Sequence, residues 1–256
     1  MGRYEISYVS PGGREWKFTD TEWAAGIKHD GISGLVGDVN DIVHTPVGSD
    51  TQFVESQNPV PMEGSLTLHI QAHGGKSAAE VWADFRKDFS RSKQGTLSIT
   101  SPAGTVSCNV RLSTTLSPPK KDPGFEEVVL NVDVPLIADR TGWWFAPVTR
   151  NAGSIQIANS GDLMIYPAIT WTAAGTVKVP SGATFQMPSV PAKRTAQLVH
   201  GGIGKVEDAN GVLDKPLRLT LAKFPSEGVP AGKTRSYAIP TGATLTYQIG
   251  VLDPWI

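Results

Sequence analysis

Short runs in which apolar and polar residues alternate fill most of the chain, and turn residues separate them. Leu66, Leu68, Ile70 and Ala72 alternate with Ser65, Thr67, His69 and Gln71. This period of two puts one face of a strand in a core and the other in water. Leu97 and Ile99 alternate with Thr96, Ser98 and Thr100. Ser101-Pro102-Ala103-Gly104 then turns the chain into Val106, Cys108, Val110 and Leu112, which predicts a hairpin with Cys108 on its buried face. The longest alternating run pairs Val128, Leu130, Val132, Val134 and Leu136 with Val129, Asn131, Asp133 and Pro135. Proline cannot donate to a ladder, so Pro135 marks an edge or a strand end. Tyr4 to Val9 reads as a strand, Pro11-Gly12-Gly13 as its turn, and Trp16 and Phe18 as the next strand. From Asp30 to Met62 Gly and Pro interrupt every apolar run, and this stretch reads as an extended loop or hairpin. So long an irregular segment is uncommon unless it has a job or contacts a neighbour.

One segment has the helical period. Ser77-Ala78-Ala79-Glu80 fits a capping box, and Ala78, Val81, Trp82, Phe85 and Phe89 then form one broad apolar stripe. Arg86, Lys87 and Arg91 follow where cations complement the helix dipole, and Gly95 is the expected stop.

Beyond Trp143-Trp144-Phe145 and Pro147 no helix signal is read. The second half runs strand to strand through turns such as Asn159-Ser160-Gly161-Asp162 and Asp208-Ala209-Asn210-Gly211. Leu217, Leu219 and Leu221 form one expected half-buried strand, and Leu245, Tyr247 and Ile249 another. Val179-Pro180-Ser181-Gly182-Ala183-Thr184-Phe185 is echoed by Ile239-Pro240-Thr241-Gly242-Ala243-Thr244-Leu245, which implies two strand-turn-strand units of one design. Short strands punctuated in this way suit an all-β sandwich. With 256 residues, two domains are expected, 1–149 and 150–256, with a border near Arg150.

Composition supports a mainly β chain. Charged residues make up 18%, and 27 Gly and 19 Pro supply the turns. A formal charge of -1 advertises no nucleic-acid or anionic-membrane binding, and would suit a channel that lets DNA pass without sticking. Cys108 is the single cysteine, so no intrachain disulfide is expected and the chain suits a reducing cytoplasm. No apolar run approaches the roughly 20 residues of a membrane span, so no membrane association is expected. MGRYEISYVSP lacks the apolar core of a signal peptide.

Three phrases, 61–100 (PMEGSLTLHIQAHGGKSAAEVWADFRKDFSRSKQGTLSIT), 132–144 (VDVPLIADRTGWW) and 161–185 (GDLMIYPAITWTAAGTVKVPSGATF), carry a resemblance. In them the chain resembles the distal tail proteins of long-tailed siphophages, also called minor tail proteins in phages of actinobacteria. The resemblance implies an N-terminal ring-forming domain similar to tail-tube proteins, a β-sandwich or barrel flanked by one helix. It also implies a C-terminal galectin-like β-sandwich. A homo-hexameric ring would join the tail tube protein to the tip or baseplate and receptor-binding components. DNA would pass through its lumen without specific binding, and the protein, made in the host cytoplasm, would reside in the virion at the tail tip. No cofactor is implied. Sugar binding does not carry over with the architecture.

The sequence offers no convergent set of residues that an enzyme would need. His69 and His73 are four apart, but the local period is two, and zinc wants a third protein ligand, so they read as surface histidines. His200-Gly201-Gly202-Ile203-Gly204-Lys205 approaches a phosphate loop, yet Val199 stands where its first Gly belongs and Val206 replaces the Ser or Thr, leaving a Gly-rich turn. Glu207, Asp208 and Asn210, like Asp38, Asn40 and Asp41, are too few oxygen donors for a calcium loop and read as solvated turns. Cys108 reads as an inert thiol, and adjacent Glu126 and Glu127 point to opposite faces. No catalytic, cofactor-binding or metal-binding residue is therefore assigned. Trp143, Trp144, Trp171 and Trp255 could stack on sugars, though Trp in strand-rich sequence is usually buried. The alternative to the ring subunit is a carbohydrate-binding module of a tail fibre or host-recognition protein, with Trp171 on an exposed sheet face.

Overall fold

Alternation sets the architecture of the computed structural model, which describes residues 4–48, 50–199, 205–221 and 225–255. Strands dominate, and contacts divide the chain into two units, Met1–Trp144 with Val251–Ile256, and Phe145–Gly250. Arg150, the expected border, lies within a strand of the second unit, and the final residues stand with the first.

In the first unit β1 (Glu5–Val9) and β2 (Glu15–Lys17) form a hairpin with Tyr8 opposite Trp16. β3 (Ala25–Gly34) is followed by the paired β4 (Val39–His44) and β5 (Phe53–Pro59), and then β6 (Met62–Gln71). After helix α1 (Ala78–Asp88) come β7 (Gly95–Ser101), β8 (Gly104–Leu112), β9 (Val128–Ala138) and β10 (Trp143–Phe145). The strand order is β2-β1-β7-β8-β9-β6-β3. β8 reaches β9 only through Arg111 and Leu112. Ile6, Tyr8, Leu97, Ile99, Leu66, Leu68, Ile70, Val134 and Leu136 are buried, while Ser7, Ser98 and Ser107 share a register row on the wet face.

α1 forms where its sequence places it. Ser77 Oγ accepts from the Glu80 N–H, and the Glu80 carboxylate accepts from the Ser77 N–H at 2.8 Å, completing the capping box. The Ser77 N–H and the Ser77 hydroxyl, both donating to the Glu80 carboxylate, hold it below the ordinary carboxylate range. Its apolar stripe packs on aromatic neighbours: Phe85 meets Trp16 edge-on at 5.2 Å, and Phe89 stacks on Tyr8 at 4.3 Å. Asp88 ends the helix by binding both of the hairpin's aromatic residues. Its carboxylate accepts from Trp16 Nε1 at 2.9 Å, and its carbonyl accepts from Tyr8 Oη at 3.2 Å. The helix stops there, not at Gly95, because Phe89 is already extended. Gly95 instead opens β7, and a Cβ on it would overlap the Tyr8 ring.

β9 departs from simple alternation. Asn131 lies at φ 54, and the register with β6 moves from Leu68↔Val132 to Ile70↔Val129. This bulge turns Val129 inward and leaves Leu130 58% exposed, against the expected inward Leu130. Pro135 lies within the interior strand β9, opposite Ser65. Its carbonyl accepts from Ser113 N, just beyond β8, so its missing donor faces the side where that ladder ends.

The second unit contains β11 (Val148–Ala158), β12 (Ala168–Trp171), β13 (Gly175–Lys178), β14 (Thr184–Met187), β15 (Arg194–Gln197) and β16 (Val206–Asp208). Helix α2 (Lys215–Thr220) and β17 (Thr234–Tyr247) follow. The strand order is β14-β13-β17-β12-β15-β16, with β11 also on β17. Ile157, Ile169, Trp171, Val177, Leu198, Tyr237 and Leu245 form much of the core. Two expectations are corrected. Leu217 to Leu221 are not a strand: Asp214 caps Leu217 N, Pro216 fits the first helical turn, and Leu217 and Leu221 share a side while Leu219 is exposed. The echoed phrases also differ in structure. The first is a hairpin turn, closed by Val179 N to Ala183 O at 3.0 Å with Gly182 at φ 90. The second, with Gly242 at φ 83, is a bulge inside the continuous strand β17, where β11 shifts register between Asn151 and Gly153.

Two predictions follow from this packing. Gly95→Ala must displace the Tyr8 ring and should cost about 1–3 kcal/mol in a denaturant titration; an unchanged midpoint would contradict the close approach. Burial, with the Asp88 charge, pushes the Tyr8 phenol up to about 12. An unfolded phenol ionises near pH 10, so the stability from keeping Tyr8 neutral is complete below about pH 10. It is lost as pH rises through about 12, and Tyr8→Phe should flatten that decline in unfolding midpoint.

Candidate functional site

The segment between β3 and β6 leaves the first unit's core as a hairpin. Gly34 at φ 67 and Leu35 at φ 59 turn the chain out of β3. A left-handed leucine costs roughly 1–2 kcal/mol. The cost is offset by burial of the side chain, by Leu35 N donating to Glu63 O at 2.9 Å, and by Leu35 O accepting from Trp143 Nε1 at 2.9 Å. Val60 N to Asp38 O at 3.2 Å closes the base.

Beyond that base β4 and β5 form a separate two-stranded sheet with little burial. A lone two-stranded hairpin is marginal in water. Here the apolar positions face solvent: Ile42 is 42% exposed, Val43 47%, Phe53 58% and Val54 55%, and Val47 is fully exposed. Val43 stands opposite Val54, beyond a register shift at Ile42. Between residues 38 and 59 the charged residues are Asp38, Asp41, Asp50 and Glu55, with no Lys or Arg. The hairpin is therefore apolar and anionic, suited to a surface contact. The sequence signal was the pairing of Ile42-Val43 and Phe53-Val54 among acidic residues in a segment too long for an idle loop.

Among the described residues, the side chains that could carry chemistry do not converge. His69 Nδ1 accepts from Asn131 N at 3.2 Å, supporting the bulge, and His73 pairs with Lys76 in a small turn. Asp208 Oδ1 accepts from Asn210 N and Val212 N, and Asp41 accepts from Gln57 Nε2 at 2.9 Å. Glu126 pairs with Lys121 at 3.3 Å. No group of three or more potential metal ligands occurs among the described residues. His200 to Gly204 of the Gly-rich stretch lie outside the described residues. Cys108 is buried, and desolvation pushes its thiol pKa upward.

The tryptophans divide by environment. Trp171 is 1% exposed and its Nε1 donates to Pro188 O at 2.9 Å, so it is a core residue and not the exposed platform that sugar stacking needs. Trp143 is fully buried, and Trp144 lies under the Arg140 guanidinium at 3.3 Å. Trp255 meets Tyr4 edge-on at 5.6 Å. Trp82, Phe85 and Phe89 occupy the buried helix stripe, as their spacing predicts.

No family model and no curated protein matches this chain. Solved structures do. The chain is similar to the SPP1 Dit protein, described as a paradigm of the hub adsorption apparatus in phages that infect Gram-positive bacteria. The identity is 12%, the TM-score is 0.62, and 98% of this chain and 100% of that one are covered. It is also similar to a chain of the phage P2 baseplate in its activated conformation with Ca, at 9% identity and TM-score 0.54, with both chains covered in full. The same baseplate with Sr gives 10% identity and 0.51, again over both whole chains. These are phage hub and baseplate folds, in keeping with the distal tail resemblance of the sequence.

Two outcomes test the burial described. Cys108 should resist iodoacetamide at pH 8 in the native protein and react fully in denaturant; rapid native labelling would contradict its inert placement. Trp171→Ala should destabilise the chain by about 3–5 kcal/mol, measured by denaturant unfolding.

Proposed function

We propose that this chain is a structural subunit of the distal end of a long, non-contractile phage tail. Its assembly is a ring, six-membered as in the family it resembles, that joins the tail tube to tip or baseplate and receptor-binding components. In this reading the first unit, Met1–Trp144 with Val251–Ile256, is the tail-tube-like ring domain and the second, Phe145–Gly250, a galectin-like sandwich. The lumen passes DNA without specific contacts, consistent with a formal charge of -1. The chain acts through interfaces and is not an enzyme; its place is the virion tail tip.

The observation that carries the reading is the exposed apolar hairpin β4–β5 on a fold similar over its whole length to hub and baseplate proteins. Ring subunits need heterologous, head-to-tail contacts that close, and a projecting hairpin is suited to reach a neighbour. The carbohydrate-binding alternative loses its main support because Trp171 is buried and hydrogen-bonded.

Light scattering and negative-stain class averages should show a six-fold ring with a central hole. Deleting residues 40–58, whose base stays closed by Val60 and Asp38, should abolish the ring while leaving the thermal transition of the body in place. Rings that persist after the deletion would remove the hairpin from the interface.

A further inference from the structure

The sheet of the first unit ends at β2, which pairs with β1 and with no other strand. Ser10 N donates to Arg14 O and Phe18 N donates to Ile6 O, each at 2.8 Å, so Arg14, Trp16 and Phe18 hold the positions that face β1. By antiparallel alternation Glu15 and Lys17 turn their backbone N–H and C=O groups away from it. The open stretch stops at Phe18, whose carbonyl accepts from Ile27 N at 3.0 Å.

A hollow lies on each face of this edge. On the α1 side, one of about 400 Å³ has Trp16, Ala25 and Val81 in its wall. On the wet side, one of about 450 Å³ is lined by Ser7, Thr19 and Thr100 and by the carboxylates of Glu5, Glu15 and Asp20, with Lys17 as its one cation. Across both hollows the acids are Glu5, Glu15, Asp20, Glu22 and Asp84, against Arg14, Lys17 and Lys76, so the edge is net negative. Arg14 and Lys76 are held by Asp84 at 3.2 and 2.6 Å. Among the described residues no ion pair engages Glu5, Glu15 or Asp20.

We infer that the outer edge of β2 receives, by strand addition, an extended segment of a different protein in which basic and apolar residues alternate. A strand laid along β2 satisfies the free backbone groups of Glu15 and Lys17. Neighbours on a strand point to opposite faces, so the residues opposite Glu15 and Lys17 send their side chains to the acidic hollow. The residue opposite Trp16 sends its side chain to the hollow walled by Trp16, Ala25 and Val81. Basic side chains complement the first hollow and an aliphatic one the second. A short, charged edge discourages indiscriminate pairing, so charge and backbone together select the occupant. The chain's own exposed hairpin, β4–β5, has four carboxylates and no Lys or Arg between residues 38 and 59, so like charge turns it away and the occupant is another protein. The inference does not depend on the ring.

The test is amide hydrogen exchange of the full-length chain with the end-capped peptide Lys-Val-Lys-Val-Lys. At saturating peptide the Glu15 and Lys17 amides should exchange about tenfold more slowly or better. Glu15→Lys alters an exposed side chain, and with its thermal transition unchanged it should weaken peptide binding by about tenfold. The same peptide methylated on its backbone nitrogens should not bind, because it cannot complete the ladder. Binding that survives this methylation is plain charge attraction and overturns strand addition. Equal binding of Glu-Val-Glu-Val-Glu overturns the basic occupant. Protection at other amides but not at Glu15 and Lys17, or no binding at millimolar peptide, overturns the site. Protection of these two amides that rises with protein concentration alone makes a second copy the occupant and overturns the assignment to a different protein.

Discussion

The first unit depends on the seam between α1 and the β1–β2 hairpin. Tyr8, Trp16, Phe85 and Phe89 fill it, and Asp88 binds the polar atoms of both Tyr8 and Trp16. Arg14 adds its guanidinium to Asp84 and Asp88 at 3.2 and 3.3 Å, and Lys76 reaches Asp84 at 2.6 Å. The Lys76 hydrogen bond, with the Arg14 charge beside it, holds the Asp84 carboxyl below its ordinary range. These groups are exposed enough for water to screen them, so their work is chiefly positional. Aromatic burial supplies the energy, and the polar caps fix where the helix ends. Once the helix is fixed, the inward rows of the strands have a surface to cover, and the segment from β3 to β6 is left outside it.

That division explains which elements the sequence made legible. α1 could be read because its cap, stripe and flanking charges are all local. The β6, β7 and β8 strands could be read because one face is wet. β4 and β5 were narrowed only to a loop or hairpin, since most of their side chains meet solvent and no inward face disciplines the alternation. In β9 the pattern ran on past Asn131 as though the phase were continuous; only pairing with β6 reveals the bulge that expels Leu130.

The second unit shows the opposite failure. Leu217, Leu219 and Leu221 have the spacing of a strand, yet Asp214 and Pro216 supply a helix start over so short a span that periodicity could not decide. The two echoed phrases share the glycine at positive φ but not the outcome. Gly182 closes a hairpin turn, whereas Gly242 lies in a strand that continues beside β11. A left-handed residue specifies a local bend; the partner strand decides whether the chain reverses. Trp171 likewise could be read as core or platform until its neighbours were known, because burial belongs to the packed sheet and not to the residue.

The candidate site follows the same physics in reverse. Strand residues are ordinarily held by a sheet or a core, and β4 and β5 have each other alone, with valines and a phenylalanine in water. Left-handed Leu35 at the hairpin's base and left-handed Asn131 at the exposed leucine are both departures from local preference, each stabilised by hydrogen bonds from the folded body. An isolated chain gains nothing evident from placing apolar side chains in solvent at such positions. In the proposed ring a neighbour would bury what the single fold leaves open at this hairpin. The folding unit is the single chain, while in that proposal the unit that covers the hairpin's apolar side chains is the assembly.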